Sequence, residues 1–241
     1  MKNYLIIGAN SPMVKSLICD LNLQKNVNLV LVVRDENKFK EVYSQCLDFS
    51  RIELITIDLT ADNIFEFIEN CQKVFDGFCY VAGLTHISLA KFLKKEQISE
   101  VFEVNFFKPL FITQALFKKK LLKQSANVVY VSSISGTGSV APGVLSYSTS
   151  KAALNNLVKV LAIENGSSGI KFNTVCPGVV ETSFNLNINS LKSDVNDPLL
   201  KRYPLGYGKP DDISSFIKYL LMENSWINGQ NIVLDGGFSF T

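Results

Sequence analysis

The sequence predicts an α/β fold, a doubly wound and mostly parallel sheet with helices packed on both of its faces. Three observations predict it. Short apolar runs alternate along the whole chain with segments whose apolar residues recur at helical spacing. Glycine, serine, asparagine and aspartate follow the ends of several of these runs, where open α/β sheets bind ligands. The length of 241 residues suits a single such domain, which we expect to span residues 1–241.

Seven apolar runs are the predicted strands. Each is short, bounded by turn residues and rich in valine, isoleucine, leucine or aromatic side chains, as buried parallel strands are. In chain order they cover residues 4–7, 28–33, 52–57, 78–81, 128–131, 170–175 and 232–234.

Helical patterns fill the intervals between these strands. Ser11 suits the N-cap of the first helix, and Pro12 suits its first position, where a missing N–H costs least. The other helical patterns cover residues 61–70, 97–105 and 106–123, begin at Tyr147 within the run YSTSKAALNNLVKVLA, or begin near Asp211. Strands that alternate with helices in this way favour a parallel sheet whose ligand lies at the carboxyl ends of the strands.

Composition excludes several classes of function. The formal net charge is +2 and the basic residues are scattered, which argues against a nucleic-acid partner. No apolar run approaches a membrane span, and the N-terminus enters a strand without a signal-peptide pattern. The five cysteines lack metal-ligand spacing and form an odd count, which is typical of small core residues in a reducing compartment. We expect a cytoplasmic protein without a metal.

Tyr147 and Lys151 are the central pair of the sequence. Residues four apart on a helix lie on the same face, so the ammonium of Lys151 can approach the phenol of Tyr147. A nearby ammonium favours the phenolate and lowers the pKa of the phenol, which suits the tyrosine to proton transfer. Ser133 follows the strand at 128–131, where its hydroxyl can bond a substrate oxygen. An ordinary helix with an exposed tyrosine and a solvated lysine is the plain alternative.

Ser133 after a strand, a loop rich in serine and glycine, and then Tyr147-x-x-x-Lys151 resemble the short-chain dehydrogenase/reductase family. The resemblance extends over nearly the whole chain and is strongest to the compact type similar to 3-oxoacyl-(acyl-carrier-protein) reductases. It implies a Rossmann-type sheet with strand order 3-2-1-4-5-6-7. It also implies an oxidoreductase dependent on NAD(P)(H), which interconverts a carbonyl and a secondary alcohol.

The resemblance also implies roles for four catalytic residues. Ser133 would bond the carbonyl oxygen, Tyr147 would donate the proton, and Lys151 would lower the Tyr147 pKa and hold the ribose. Asn105, a polar residue in the apolar run VFEVNFFKPLFITQALF, would support proton resupply. From the residues themselves, Asn105 is either a satisfied core amide or a site residue.

A cofactor site is implied at the ends of the strands. A strand, a glycine and then a helix can aim the helix N-terminus at a phosphate, although the loop is equally an ordinary turn. The family pattern is GxxxGxG, and here Pro12 and Val14 stand at its second and third glycines, while Asn10 and Ser11 offer side-chain donors. The implied cofactor-binding residues are Gly8, Asn10, Ser11, Met13, Arg34, Asp58, Leu59, Ala82, Gly83, Tyr147, Lys151, Pro177, Gly178, Val180 and Thr182.

Two replacements and one basic residue bear on this site. Tyr80 and Val81 stand where the family commonly has two asparagines. Arg34 follows the second strand, where an arginine accommodates the 2′-phosphate of NADP(H) and a carboxylate accommodates the ribose of NAD(H). Arg34 therefore favours NADP(H), with Lys38 one helical turn later, and Asp35 leaves NAD(H) open. A solvated arginine at a strand end is the plain alternative.

Three further expectations concern the surroundings of the site. His86 is the one histidine, and the Tyr–Lys mechanism does not require it. Residues 183–204 have weak periodicity and several Asn, Asp and Pro residues, which we interpret as a substrate lid. The phenylalanine-rich helices and the helix over 152–163 carry more apolar surface than one sheet face needs. In the family such helices form subunit interfaces, so we expect a homo-oligomer, a tetramer or a dimer.

The substrate is a small carbonyl or alcohol whose identity stays open. One candidate is a 3-oxoacyl group on a carrier protein, with Lys118, Lys119, Lys120 and Lys123 as a patch for an acidic partner. A solvated charge run is the plain alternative, and a sugar, a polyol or another small ketone fits equally well. The rival from another class is a non-catalytic nucleotide-binding regulatory or structural protein, because the glycine loop is altered and the asparagine pair is missing.

Overall fold

The computed structural model describes residues 1–44, 46–60, 64–182 and 198–241. Seven strands form one sheet in which neighbouring strands run parallel. They are β1 (Lys2–Ile7), β2 (Val27–Val33), β3 (Ile52–Thr56), β4 (Phe75–Tyr80), β5 (Leu122–Val131), β6 (Lys171–Pro177) and β7 (Asn231–Leu234). Their order is β3-β2-β1-β4-β5-β6-β7, which confirms the predicted doubly wound arrangement.

Helices cover both faces of this sheet. They are α1 (Lys15–Leu23), α2 (Glu36–Tyr43), α3 (Ile64–Asn70), α4 (Lys95–Phe102), α5 (Lys108–Lys118), α6 (Leu145–Glu164) and α7 (Pro210–Met222). A 3₁₀ turn at Pro12–Val14 precedes α1, and a π-helical turn at Glu103–Phe107 joins α4 to α5. Among the described residues, no helix combines the length and the apolar character that a membrane span requires.

The alternation of side chains along the strands gives the sheet two cores. In β1, Ile6 faces a buried cluster that includes residues of α1 and α7. Leu5 and Ile7 face the opposite cluster, to which α5 and α6 contribute. A strand that is buried on both faces reads as a continuous apolar run, which is why the sequence identified β1. The two cores hold the carboxyl ends of the strands along one edge, where the site lies.

One of the predicted helices is wrong in its extent. The pattern over 106–123 predicted continuous helix, whereas the π turn occupies its first residues and α5 ends at Lys118. Lys120 has a φ of 55°, a left-handed conformation that ends the helix. β5 then begins at Leu122, well before the predicted strand at 128–131. An apolar periodicity of 3.6 residues does not distinguish an α turn from a π turn, which is the physical reason for the error.

The cysteines differ from the prediction as well. Cys79 and Cys176 are buried, as expected of core thiols, whereas Cys19 and Cys71 are half-buried and Cys46 is exposed. The segment interpreted as a lid, 183–204, falls largely outside the described residues; its last part contains a 3₁₀ turn at Leu200–Arg202.

Candidate active site

The carboxyl ends of β1, β4, β5 and β6 meet at one edge of the sheet, and α6 begins beside them. Ser133 directly follows β5 and is almost fully buried. Its hydroxyl accepts a 3.1 Å hydrogen bond from the Ser135 amide at the start of a 3₁₀ turn. This turn fixes the Ser133 side chain at the sheet edge. The location agrees with the position predicted from the sequence.

Lys151 is buried under this edge, with 3% of its surface exposed. Its Nζ donates a 2.9 Å hydrogen bond to the Val131 carbonyl at the end of β5. A Cβ on Gly83 would lie 3.4 Å from that Nζ, so the loop after β4 passes close to the ammonium. Burial lowers the Lys151 pKa to about 8, while the nearby Cys176 thiol favours the charged form. The lysine is therefore held by the fold and is not solvated.

Tyr147 lies on the same helix, and its ring centroid is 5.8 Å from the Lys151 Nζ. The Ser133 hydroxyl neighbours the Tyr147 phenol, which brings two of the predicted catalytic residues together. Burial raises the Tyr147 pKa, and the neighbouring Ser133 hydroxyl partly opposes that shift. The predicted lowering by Lys151 is not found, because the ammonium donates to Val131 and lies towards the ring. The phenol is thus protonated at neutral pH.

Asn105 is fully buried and borders the group that Ser133, Tyr147 and Lys151 form. Its Oδ1 accepts the Leu84 amide at 2.8 Å, and its Nδ2 donates to the Leu84 carbonyl at 2.9 Å. Nδ2 also donates to the Ser150 hydroxyl at 3.0 Å, and Ser150 precedes Lys151 on α6. The amide side chain therefore clamps the loop after β4 against α6.

The π turn that carries Asn105 is tied to the sheet by Tyr80, a residue that sequence reasoning treated as a lost asparagine. The Tyr80 hydroxyl donates a 2.6 Å hydrogen bond to the Val104 carbonyl. Tyr80 is fully buried at the end of β4. A tyrosine within a buried strand requires a partner for its hydroxyl, and that requirement was the available signal. π turns of this kind are frequent at functional sites.

The first loop passes very close to the loop that follows β4. Gly8 has a φ of 89°, and a Cβ there would lie 2.6 Å from the Ala82 nitrogen. No other residue type fits that left-handed position and close approach. Val14 is accommodated by full burial in the core. Pro12 begins the 3₁₀ turn, whose N-cap Ser11 accepts the Met13 amide at 3.4 Å.

Asn10 bonds the backbone at the end of β2. Its Oδ1 accepts the Arg34 amide at 2.9 Å, and its Nδ2 donates to the Asp35 carbonyl at 3.0 Å. The side chain therefore joins the first loop to the end of β2, and its role toward a phosphate stays a prediction. Asp35 caps α2 by accepting the Lys38 amide at 2.9 Å. The backbone of Arg34 is fixed, while its side chain is exposed.

Asp58 and Leu59 lie at the end of the neighbouring strand β3. The Asp58 carboxylate accepts the Thr60 amide at 2.9 Å and the Thr60 hydroxyl at 2.8 Å. These two bonds lower the Asp58 pKa, and the positive charge of Arg34 contributes to the same shift. Leu59 packs against the second core. The ends of β2 and β3 therefore present a basic and an acidic side chain to the same region.

The loop after β6 closes the other side of the edge. A Cβ on Gly178 would lie 3.1 Å from the Asp235 Cα, so Pro177-Gly178 packs tightly against the end of β7. Val180 is buried and forms a parallel bridge with Gly208. Thr182, the last described residue before the gap, is also buried. These predicted residues lie at the same edge as the catalytic group.

His86 lies in the loop between β4 and α4. Its Nε2 is 2.8 Å from a carboxylate oxygen of Glu100, so it ties that loop to α4. Three buried hydroxyls in this area have no hydrogen-bond partner among the described residues: Thr85, Ser146 and Ser148. Two of them flank Tyr147 in the chain. Buried hydroxyls are normally satisfied, so these groups are suited to bonding a bound ligand or solvent.

Comparison with known protein families gives a match over most of the chain. Residues 19–239 match the family described as Enoyl-(Acyl carrier protein) reductase. A 3-oxoacyl-[acyl-carrier-protein] reductase of Rickettsia prowazekii is 27% identical over 238 residues, which cover 98% of this chain and 96% of the relative. The corresponding enzyme of Thermotoga maritima is 31% identical over 181 residues, which cover 73% of this chain and 72% of the relative.

Solved structures agree with the sheet and its connections. A short chain dehydrogenase family protein from Francisella tularensis superposes with a TM-score of 0.86 at 25% identity, and all of both chains is covered. A 4-hydroxyisoleucine dehydrogenase complexed with NADH superposes with a TM-score of 0.86 at 26% identity, again over both complete chains. The ends of β1 to β6 therefore have counterparts in proteins of known architecture.

Proposed function

This chain belongs to the short-chain dehydrogenase/reductase family, and from that premise we propose that Ser133, Tyr147, Lys151 and Asn105 form its catalytic group. The family membership makes the chain an NAD(P)(H)-dependent oxidoreductase that interconverts a carbonyl and an alcohol. The comparisons give no support to a non-catalytic nucleotide-binding protein. The observation that carries the assignment is that Tyr147 neighbours both the Ser133 hydroxyl and the buried ammonium of Lys151.

In the reducing direction, Ser133 and Tyr147 act on the substrate oxygen. Their hydroxyls are neighbours, so one carbonyl oxygen can accept a hydrogen bond from each. Tyr147 then transfers its proton to that oxygen as the carbonyl becomes an alcohol. The raised pKa keeps the proton on the phenol at neutral pH until negative charge develops on the substrate. The nicotinamide cofactor, when bound, supplies the hydride.

Lys151 supports this step by its position. The ammonium is fixed on Val131 and lies 5.8 Å from the centroid of the Tyr147 ring, where it would hold the ribose of the bound cofactor beside the phenol. Asn105 holds Leu84 and Ser150, which border Lys151 on two sides. We assign Asn105 this positioning role. Its part in proton resupply stays a prediction.

The cofactor would lie along the edge from Gly8 to Thr182. Gly8, Ser11, Met13, Ala82 and Gly83 would hold the dinucleotide centre, and the loop from Pro177 to Thr182 would hold the nicotinamide end. Asp58 and Leu59 would border the adenine. We propose a preference for NADP(H), because the Arg34 side chain is exposed on a fixed backbone whereas the Asp35 carboxylate already caps α2.

We propose a 3-oxoacyl thioester carried by a protein as the substrate class. The named reductases of Rickettsia prowazekii and Thermotoga maritima act on 3-oxoacyl groups of an acyl-carrier protein, by the words of their names. A sugar or a free ketone is the competing class. A panel of thioesters and small ketones, with oxidation of NADPH and NADH followed separately, decides between them. Turnover of ketones without any turnover of acetoacetyl thioesters would contradict the proposal.

The predicted carrier patch is not well placed for that role. Lys119 and Lys123 pair with Glu69 and Asp76, at 3.4 Å and 2.8 Å. The run lies at the end of α5 and the start of β5, whereas Ser133 follows the other end of β5. Ten strand residues span about 30 Å, so the run is at the opposite edge of the sheet. We therefore interpret this lysine run as solvated surface and not as a docking patch.

A second group of lysines lies on the side of the sheet where the strands have their carboxyl ends, as the candidate active site does. Lys91 and Lys94 are exposed between β4 and α4, on the connection that contains Leu84, and Lys95 is exposed at the first position of α4. Phe92 is 65% exposed within this group, and Lys91 lies over its ring at 4.8 Å. Basic residues around an exposed aromatic residue suit an acidic protein partner. We therefore assign carrier docking to this second group.

Charge reversal separates the two lysine groups. Lys91→Glu combined with Lys94→Glu should raise KM for an acetoacetyl carrier protein and leave turnover of the small N-acetylcysteamine thioester unchanged. Lys118→Glu combined with Lys120→Glu, at the opposite edge, is the matched control and should change neither. An unaltered KM for the carrier substrate in the first variant would overturn the docking assignment but not the reductase.

We also propose that the chain forms homo-oligomers through α5 and α6. Phe107 and Phe111 stack with ring centroids 6.1 Å apart and are 38% and 42% exposed. On α6, Val160 is 45% exposed and Ile163 is 84% exposed. α5 and α6 contribute to the same core, and apolar side chains exposed on helices of one sheet face are typical of an interface between subunits. Light scattering of the wild type and of Phe111→Glu tests the assignment; a monomeric wild type would contradict it.

A further inference from the structure

Two cysteines outside the catalytic group face each other on the surface of the β1–β3 half of the sheet. Cys19 belongs to α1, and Cys46 lies after α2, 27 positions later in the chain. Their sulfur atoms are 3.2 Å apart. A formed disulfide has a sulfur separation of about 2.05 Å, so the two thiols need to approach by only about 1 Å.

Access and local structure favour the approach. Cys46 is exposed and Cys19 is half-buried, so small oxidants in solution reach the pair. Cys46 follows the last turn of α2, and its amide bonds the Tyr43 carbonyl at 3.1 Å. Because Cys46 lies in a turn and not within a helix or a strand, a shift of its sulfur does not break a regular hydrogen-bond ladder.

We propose that Cys19 and Cys46 are a redox modification site that forms a reversible intramolecular disulfide when a peroxide is the oxidant. The exposed Cys46 sulfur attacks one peroxide oxygen and becomes a sulfenic acid, and the other oxygen leaves as water. The Cys19 sulfur then attacks the Cys46 sulfur, and the S–O bond breaks. The Cys19 proton joins the departing hydroxide, so that two thiols and one hydrogen peroxide give one disulfide and two waters.

The surroundings of Cys19 set the rate of the second step. Burial and the contact with Cys46 raise the Cys19 pKa to about 12, so Cys19 is the slower thiol, and it loses its proton to the departing hydroxide only as it attacks the Cys46 sulfur. Lys15 opposes this shift and Asp20 adds to it, both from α1. The other three cysteines are separate: Cys79 and Cys176 are buried, and Cys71 contacts the Lys73 carbonyl at 3.8 Å.

The disulfide would close a loop of the chain, from Cys19 to Cys46, that contains β2 and Arg34. It would join α1, whose preceding loop is bonded through Asn10 to Arg34, to the segment after α2. The proposal does not depend on the substrate, because neither thiol lies on an element that carries a catalytic residue. It can therefore be tested on the purified chain without an activity assay.

The test treats the reduced full-length protein with a small excess of hydrogen peroxide. We expect free thiols to fall from five to three, the intact mass to fall by two hydrogens, and a peptide map to contain one linked Cys19–Cys46 pair. Dithiothreitol should restore all five thiols. Cys46→Ser should keep all four of its thiols, whereas the matched control Cys71→Ser should lose two of its four.

Two outcomes would overturn the proposal. One is a wild-type protein that keeps five thiols or gains oxygen at Cys46 without forming a linked peptide. The other is a linkage between Cys46 residues of two chains, which would appear as a dimer in a non-reducing gel. Cys46 is exposed, so its replacement by serine should not disturb folding, and the comparison with Cys71→Ser remains decisive.

Discussion

The Tyr80 hydroxyl donates a 2.6 Å hydrogen bond to the Val104 carbonyl, and this bond ties the end of β4 to the π turn that carries Asn105. Val104 directly precedes Asn105, whose amide in turn holds the Leu84 backbone. Tyr80 stands where the family commonly has an asparagine. In this chain the buried Tyr80 phenol therefore helps to hold Asn105 and Leu84 in place beside Lys151.

Tyr80→Phe tests this positioning role. Removal of the hydroxyl leaves the Val104 carbonyl without that donor in a buried place, which costs about 1–3 kcal/mol of unfolding free energy. We expect kcat to fall about tenfold with little change in KM, because the π turn is no longer fixed. Chemical denaturation and steady-state kinetics measure the two effects.

Tyr130→Phe is the matched control for Tyr80. Tyr130 is also fully buried on a strand, and its hydroxyl lies 2.5 Å from the Thr113 hydroxyl on α5. Its replacement should reduce stability and leave kcat unchanged. Equal losses of kcat in both variants would mean that Tyr80 acts through general stability and not through the π turn.

Tyr147→Phe tests the proton donor. The variant keeps the ring and its contact with Lys151 but has no proton to transfer, so we expect kcat to fall by about 10²–10⁴. Cofactor binding, followed by nicotinamide fluorescence, should persist. Tyr219→Phe, on the exposed side of α7, is the control and should retain full activity. Normal turnover of Tyr147→Phe would remove Tyr147 from the mechanism.

Lys151→Met should increase stability near neutral pH while it abolishes activity. Burial lowers the Lys151 pKa from 10.5 to about 8, so the charged form is less favourable in the folded chain than in the unfolded chain. The cost is fully present below pH 8, where both states carry the charge. It amounts to at most about 3 kcal/mol and is lost as the pH rises towards 10.5.

Urea denaturation at several pH values measures this difference. The advantage of Lys151→Met should be greatest below about pH 8 and should shrink steadily above it. The lost hydrogen bond to Val131 reduces the gain at every pH by about 1 kcal/mol or more. A variant that is less stable than the wild type at neutral pH would show that this hydrogen bond outweighs the desolvation of the charge.

Much of this architecture was predictable because its signals are local. Buried parallel strands are continuous apolar runs, and their alternation with helices predicted a parallel sheet, while the strand order followed from the family resemblance. Ser133, Tyr147 and Lys151 were predictable as a group, since one follows a strand and the others lie four apart on one helix. The structure brings these three together as the spacing required.

The remaining features depend on contacts between distant segments. The sequence does not show whether the Asn10 side chain has a partner. The fold shows that it bonds the backbone of Arg34 and Asp35. Lys119 and Lys123 form a charge run in the sequence and ion pairs in the structure. The Tyr147 pKa also depends on where the Lys151 ammonium points, which spacing along a helix does not fix.

The preference for NADP(H) gives the last prediction. Arg34 is exposed at the end of β2, and its backbone is fixed by Asn10, so its guanidinium can meet a phosphate at small entropic cost. Arg34→Ala should raise the NADPH dissociation constant about tenfold or more, equivalent to about 1.4 kcal/mol, and should change NADH binding little. Lys40→Ala is the control, because Lys40 is already paired with Glu36 on α2. Equal losses for both cofactors would mean that Arg34 supports the fold of the loop, and a preference of the wild type for NADH would transfer recognition of the ribose to Asp35.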